Sequence, residues 1–118
     1  MESMKYCLVL RVCNLQKCKL FYRNTLGLGS PTLDTPFWVE FPLGNDGKLC
    51  LEAVNKRPGS TPANAPVWML EAEDDIEEQL TAAGYKLKTQ NTPEIEGYAV
   101  TAFQDPEGNV FYLKTNKE

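Results

Sequence analysis

Tyr6-Cys7-Leu8-Val9-Leu10-Arg11-Val12, followed by Asn14 and then by Leu15 to Leu26, is the stretch on which the reading of the whole chain turns. Its first part is short, apolar and contains β-branched residues, which is a strand signal. Asn14 suits a helix N-cap, because its side chain accepts from an early backbone N–H that the helix itself cannot satisfy. Beyond it Leu15, Cys18 and Tyr22 recur at three- and four-residue spacing, joined by Phe21 and Leu26, while Gln16, Lys17, Lys19 and Arg23 supply a polar side. Gly27 falls just past the helix end, where a left-handed residue is favoured. The stretch predicts a strand running into an amphipathic helix.

Working outward, Phe37-Trp38-Val39-Glu40-Phe41 alternates, Gly44-Asn45-Asp46-Gly47 offers turn residues, and Leu49-Cys50-Leu51-Glu52-Ala53 alternates again, so a hairpin is expected. A short edge strand is expected around Ser30 to Leu33, with Pro31 and Pro36 limiting its pairing. Lys56 to Pro66 holds three prolines and no apolar periodicity, and reads as an extended connection. Then the pattern restarts. Val67-Trp68-Met69-Leu70 reads as a strand, and Asp74 with Glu77 as a capping box. Ile76, Leu80 and Ala83 form a helical stripe, and Gly84 ends it. A strand near Tyr85 to Lys88 precedes Tyr98 to Phe103 and Val110 to Leu113, which flank the turn Asp105-Pro106-Glu107-Gly108-Asn109.

The expected fold class is therefore α+β, with two βαβββ modules forming a curved mixed sheet cup and helices on the outside. Module one spans about residues 5–55, the linker about 56–65 and module two about 66–115 of one domain covering 1–118. Each module leaves one sheet face uncovered, and two modules side by side can make a cup that takes a ligand.

Composition narrows the partners. With 118 residues, 42% of them apolar, the chain suffices for one ordinary core. The net charge of −4 and the lack of a basic, aromatic-interleaved surface argue against nucleic acid. No secretory leader is read in the first residues and no apolar run reaches the ~20 residues of a membrane span, so a cytoplasmic location without membrane association is expected. Cys7, Cys13, Cys18 and Cys50 are expected as reduced thiols, since a chain with this apolar complement does not need disulfide staples.

Leu10-Arg11-Val12, Asn14-Leu15, Phe21-Tyr22 and Leu26-Gly27-Leu28 resemble the opening of the vicinal-oxygen-chelate superfamily, the glyoxalase, bleomycin-resistance protein and extradiol dioxygenase group. Ala83-Gly84-Tyr85 and Asp105-Pro106-Glu107-Gly108-Asn109 resemble its second half. The resemblance spans nearly the whole chain and implies a homodimer. It also implies four metal-ligand places, which by motif fall on Cys7, Glu52, Val67 and Tyr112. Only Glu52 is a usual ligand of the family, and the chain has no histidine. The carboxylate and thiolate donors that remain are not the mix open catalytic sites use, so no metal and no cofactor are expected.

Those places also set which side of each strand faces the cup, because side chains alternate. Cys7, Val9 and Arg11 are expected to point in, as are Trp38 with Glu40, Cys50 with Glu52, Val67 with Met69 and Glu71, and Val110 with Tyr112 and Lys114. Phe37, Val39 and Phe41 are expected on the helix side, and Trp68 in the core under the second helix. A bulge after either turn would shift these faces. Trp38, Met69 and Tyr112 suggest a wall for a flat ligand. Glu40, Glu52 and Glu71, partly offset by Arg11 and Lys114, suggest a cationic one. Cys7 is read as a buried, inert thiol, since no histidine is present to activate it.

The leading expectation is thus a metal-free, non-enzymatic protein that binds an aromatic or cationic small molecule, as bleomycin-resistance-type drug-sequestering proteins do. It has no catalytic residues, and Cys7, Val9, Arg11, Trp38, Glu40, Cys50, Glu52, Val67, Met69, Glu71 and Tyr112 line the site. A glyoxalase-like lyase or isomerase, or a dioxygenase-related enzyme, is the first alternative. An interaction module whose cup is filled by side chains is the second.

Overall fold

A computed structural model describes residues 4–55, 67–88 and 92–116. The connection expected over Lys56 to Pro66 lies outside them. The chain divides into two compact units, Met1–Gly59 and Ser60–Glu118.

The first unit runs β1 (Tyr6–Val12), α1 (Leu15–Leu20), a π-helical turn (Phe21–Thr25), β2 (Leu33–Asp34), β3 (Trp38–Leu43) and β4 (Gly47–Ala53). Its sheet has the order β1-β4-β3-β2, with β1 parallel to β4 and the other pairs antiparallel. Asn14 caps α1, its Oδ1 accepting from the backbone N–H of Lys17 at 3.1 Å. The π turn lets two consecutive aromatics, Phe21 and Tyr22, both be buried. Tyr22 also reaches the sheet, its ring 6.5 Å from that of Phe41. Val12, Val39, Phe41, Leu49 and Leu51 are buried on the face that α1 covers.

The second unit repeats the order with β5 (Trp68–Glu71), α2 (Asp74–Ala82), β6 (Tyr98–Gln104) and β7 (Val110–Asn116). Here the sheet is β5-β7-β6, again with a parallel pair, β5 with β7, beside an antiparallel one. The strand expected near Tyr85 to Lys88 is reduced to a bridge between Lys86 and Phe103, extended by a hydrogen bond from Leu87 N to the Ala102 carbonyl. Leu80 of α2 is buried with Phe103, Phe111 and Leu113. Trp68 stacks on Phe111 at 5.1 Å, on the core-facing side of β5 as expected.

Two local expectations are corrected. The N-cap of α2 is Glu73, which makes no side-chain capping bond, and Asp74 is the first helical residue. Glu77 accepts instead from the Thr101 hydroxyl at 2.8 Å, so the expected capping box gives way to a helix-to-sheet contact. Phe37 is 75% exposed rather than on the helix side. The Thr35 hydroxyl oxygen accepts from the backbone N–H groups of Phe37 and Trp38, which makes a turn that carries Phe37 outward just before β3 begins.

Candidate functional site

The ladder of the first sheet is unbroken from Tyr6 opposite Gly47 to Val12 opposite Ala53, so no bulge shifts the faces. Cys7 lies opposite Lys48, Val9 opposite Cys50 and Arg11 opposite Glu52. Across the next pair Trp38 lies opposite Glu52, and Glu40 opposite Cys50. Alternation then puts the side chains of Cys7, Val9, Arg11, Trp38, Glu40, Cys50 and Glu52 on one face, the one α1 leaves uncovered. In the second sheet Met69 lies opposite Tyr112 and Glu71 opposite Lys114, which groups these four on one face. Val67 precedes β5, is 41% exposed and takes no part in the ladder.

The charges on these faces are paired. Arg11 Nε donates to Glu52 Oε1 at 3.1 Å, and Lys114 Nζ lies 2.9 Å from Glu71 Oε1 and 4.2 Å above the Tyr98 ring centre. Glu40 is held twice, by Trp38 Nε1 at 2.7 Å and by Lys48 Nζ at 3.0 Å. Those bonds, Trp38 first, hold the Glu40 carboxyl below its ordinary pKa, and Glu40 in turn raises that of Lys48. The acidic bias expected from sequence, offset there by Arg11 and Lys114, is offset further by Lys48: each of Glu40, Glu52 and Glu71 has a basic partner. Lys48 is the residue the sequence reading missed, although counting back by two from Glu52 through Cys50 reaches it. Leu33, opposite Glu40 and 45% exposed, and Tyr98 were missed as well.

All four cysteines are reduced thiols, and Cys7 is exposed rather than buried because β1 is an edge strand. Cys50, in the sheet interior, is fully buried, and Cys7 is its diagonal neighbour on β1. Burial first, and the neighbouring Cys7 next, push the Cys50 thiol up to about 11.

The model of the glyoxalase/bleomycin resistance protein/dioxygenase superfamily matches residues 4–113. The chain belongs to this superfamily. Among solved structures, superfamily member and chain align with a TM-score of 0.72 for a glyoxalase/bleomycin resistance protein/dioxygenase from Alicyclobacillus acidocaldarius, at 13% identity over 97% of this chain and 92% of that one. A lactoylglutathione lyase from Agrobacterium tumefaciens gives 0.66 at 18% identity, over 98% and 95%. An antibiotic binding protein from a Streptomyces species gives 0.69 at 26% identity, over 99% and 98%. No curated protein matches the sequence.

The metal of the superfamily's enzymes finds no fit in the first unit. Cys7 faces Lys48, whereas Glu52 lies four positions further along the same ladder and is bound to Arg11. Two residues so separated cannot share one ion. Val67 supplies no donor atom. Among the described residues no group of three or more His, Cys, Asp or Glu side chains is placed to hold a metal, and no helix is long and apolar enough to cross a membrane.

Proposed function

We propose that this superfamily member is a metal-free binding protein that sequesters a small, flat aromatic compound against the open faces of its sheets. Trp38 carries the reading. Its indole is half-buried on the uncovered face and is tied through Nε1 to Glu40, which Lys48 anchors from the other side. An aromatic surface held in place before binding offers contact area with little further loss of entropy. Met69 and Tyr112, paired within the second unit, give that unit's own sheet face a thioether and a ring of the same kind. The 26% identity to an antibiotic binding protein along nearly the full length of both chains supports binding of a small molecule rather than a macromolecule.

A cationic ligand loses its electrostatic ground, because the three carboxylates already face basic partners. Aromatic character, rather than positive charge, is the feature selected. The reading includes a homodimer, as the family likeness implies.

A Trp68→Phe background leaves Trp38 as the only indole and makes its fluorescence the readout. Saturable quenching is expected from aromatic compounds, neutral and cationic alike, and Trp38→Ala, followed by titration calorimetry with a compound that quenches, should weaken binding by roughly tenfold, the worth of one good ring contact. No response across a broad aromatic panel would remove the proposal. Stoichiometric nickel, zinc or iron in protein purified without chelator would replace it with a metalloenzyme reading.

A further inference from the structure

We infer that Glu52 is the specificity-determining residue of the aromatic site, selecting flat ligands that carry a hydrogen-bond donor, a phenol or an aryl amine, at one edge. The inference rests on the aromatic reading above and names the ligand class within it. Glu52 lies directly opposite Trp38 on the neighbouring strand, on the same uncovered face. Side chains so placed start about 4.5–5.5 Å apart, so a ring stacked on the Trp38 indole overhangs the Glu52 carboxylate. Glu52 Oε1 accepts from Arg11 Nε at 3.1 Å, and Oε2 has no hydrogen-bond partner among the described residues. The Glu52 side chain is 41% exposed, which leaves that oxygen open to solvent until a ligand covers it.

The other polar groups around the indole are engaged or further away. Glu40 uses both oxygens, Oε2 accepting from Trp38 Nε1 at 2.7 Å and Oε1 from Lys48 Nζ at 3.0 Å. Cys50, opposite Glu40, is fully buried. Arg11 lies beyond Glu52, two strands from Trp38 and thus roughly 9.5 Å away at the backbone. Stacking on Trp38 therefore strips solvent from Glu52 Oε2 first. A donor on the ligand replaces that solvent, whereas an ether or a bare ring edge leaves a carboxylate oxygen uncompensated. A site built around such a group rejects analogues without the donor more strongly than it rejects a change in apolar bulk. Selection is by donor and not by charge: Arg11 already balances Glu52, so a neutral phenol suffices.

The test is titration calorimetry on the full chain with matched pairs of aromatic phenols and their methyl ethers, naphthol and methoxynaphthalene first among them. Wild-type protein should bind the phenol about tenfold tighter, the worth of one hydrogen bond to a charged acceptor. In Glu52→Met the preference should vanish, with the ether bound at least as well as by wild type. Arg11→Met removes the partner of Glu52 but neither of its oxygens, and should keep the preference. The two side chains are 67% and 41% exposed, so both variants should retain the fold, which thermal denaturation checks. Equal affinity for phenol and ether in wild type, or a preference that survives Glu52→Met, would overturn the assignment while the aromatic reading stands. Binding of neither member in any pair would overturn both.

Discussion

Glu40 shows how a single side chain on this face is governed by its neighbours. Its carboxylate accepts from Trp38 and Lys48, and both bonds favour the ionised form. A carboxylate whose folded pKa is depressed stabilises the protein above its unfolded value, here 4.5, and that stabilisation fades as pH falls through the lower folded value. Lys48, raised above 10.5, contributes below that pH and loses its contribution as pH climbs through the folded value. Lys48 is about half exposed while Glu40 is partly buried, with side-chain exposures of 49% and 17%, so the effect is modest and salt-sensitive. Denaturant midpoints followed from neutral to acid pH should accordingly fall less steeply for Glu40→Gln than for wild type, with Trp38 emission altered at neutral pH. Identical acid limbs would contradict the pairing. Asp105 is the contrasting case, 2% exposed and accepting from the backbone N–H groups of Glu107 and Asn109 and from Asn109 Nδ2. Asp105→Ala should cost about 2–3 kcal/mol, because three donors of the turn lose their acceptor at once. A loss below about 0.5 kcal/mol in chemical denaturation would show the turn does not need it.

At the scale of elements, the ends matter more than the middles. α1 has six residues before its π turn, too short to persist alone, so its cap and its packing on the sheet hold it. Asn14→Ala should cost about 1 kcal/mol, read as a lowered denaturation midpoint with unchanged slope. Gly84 ends α2 at φ +89° with open space around it. Gly84→Ala should therefore cost about 1–2 kcal/mol through backbone strain alone, without a clash. Gly47 differs: its φ is ordinary, but a Cβ there would run into the Tyr6 ring, which lies over it at the start of the β1–β4 pair. Because Tyr6 is 59% exposed, its ring can swing aside.

Across the whole chain, two units with the same element order bury one sheet face under a helix and leave the other open. Phe111 and Tyr112 are sequence neighbours on opposite sides of β7, which makes them a direct comparison. Phe111 is fully buried between Trp68 and Phe103, and Phe111→Ala should cost about 3–5 kcal/mol. Tyr112→Ala, on the open face, should cost much less in stability and weaken the aromatic ligand instead. Equal stability losses from the two would mean that the open face is itself part of the core.

The element order, the two-fold repetition, the Asp105 turn and the alternation that groups Trp38 with Glu40 and Cys50 with Glu52 were legible in the sequence. They follow from periods of 3.6 and 2 and from turn chemistry, all of which act between residues close along the chain. Family membership was legible for the same reason, since its motifs mark those turns and helix ends. Register was not. The ladder that sets Arg11 beside Glu52 joins residues 41 positions apart, and only the folded sheet decides such a pairing. Hence the sequence offered three carboxylates only partly offset by Arg11 and Lys114, and a buried Cys7, where the structure pairs each carboxylate with a base and leaves Cys7 exposed. Phe37 was misread because a side chain of the preceding turn, Thr35, overrides the strand alternation there. Local periodicity determined which residues share a face; tertiary register decided which of them touch, and with that the charge and the chemistry of the face.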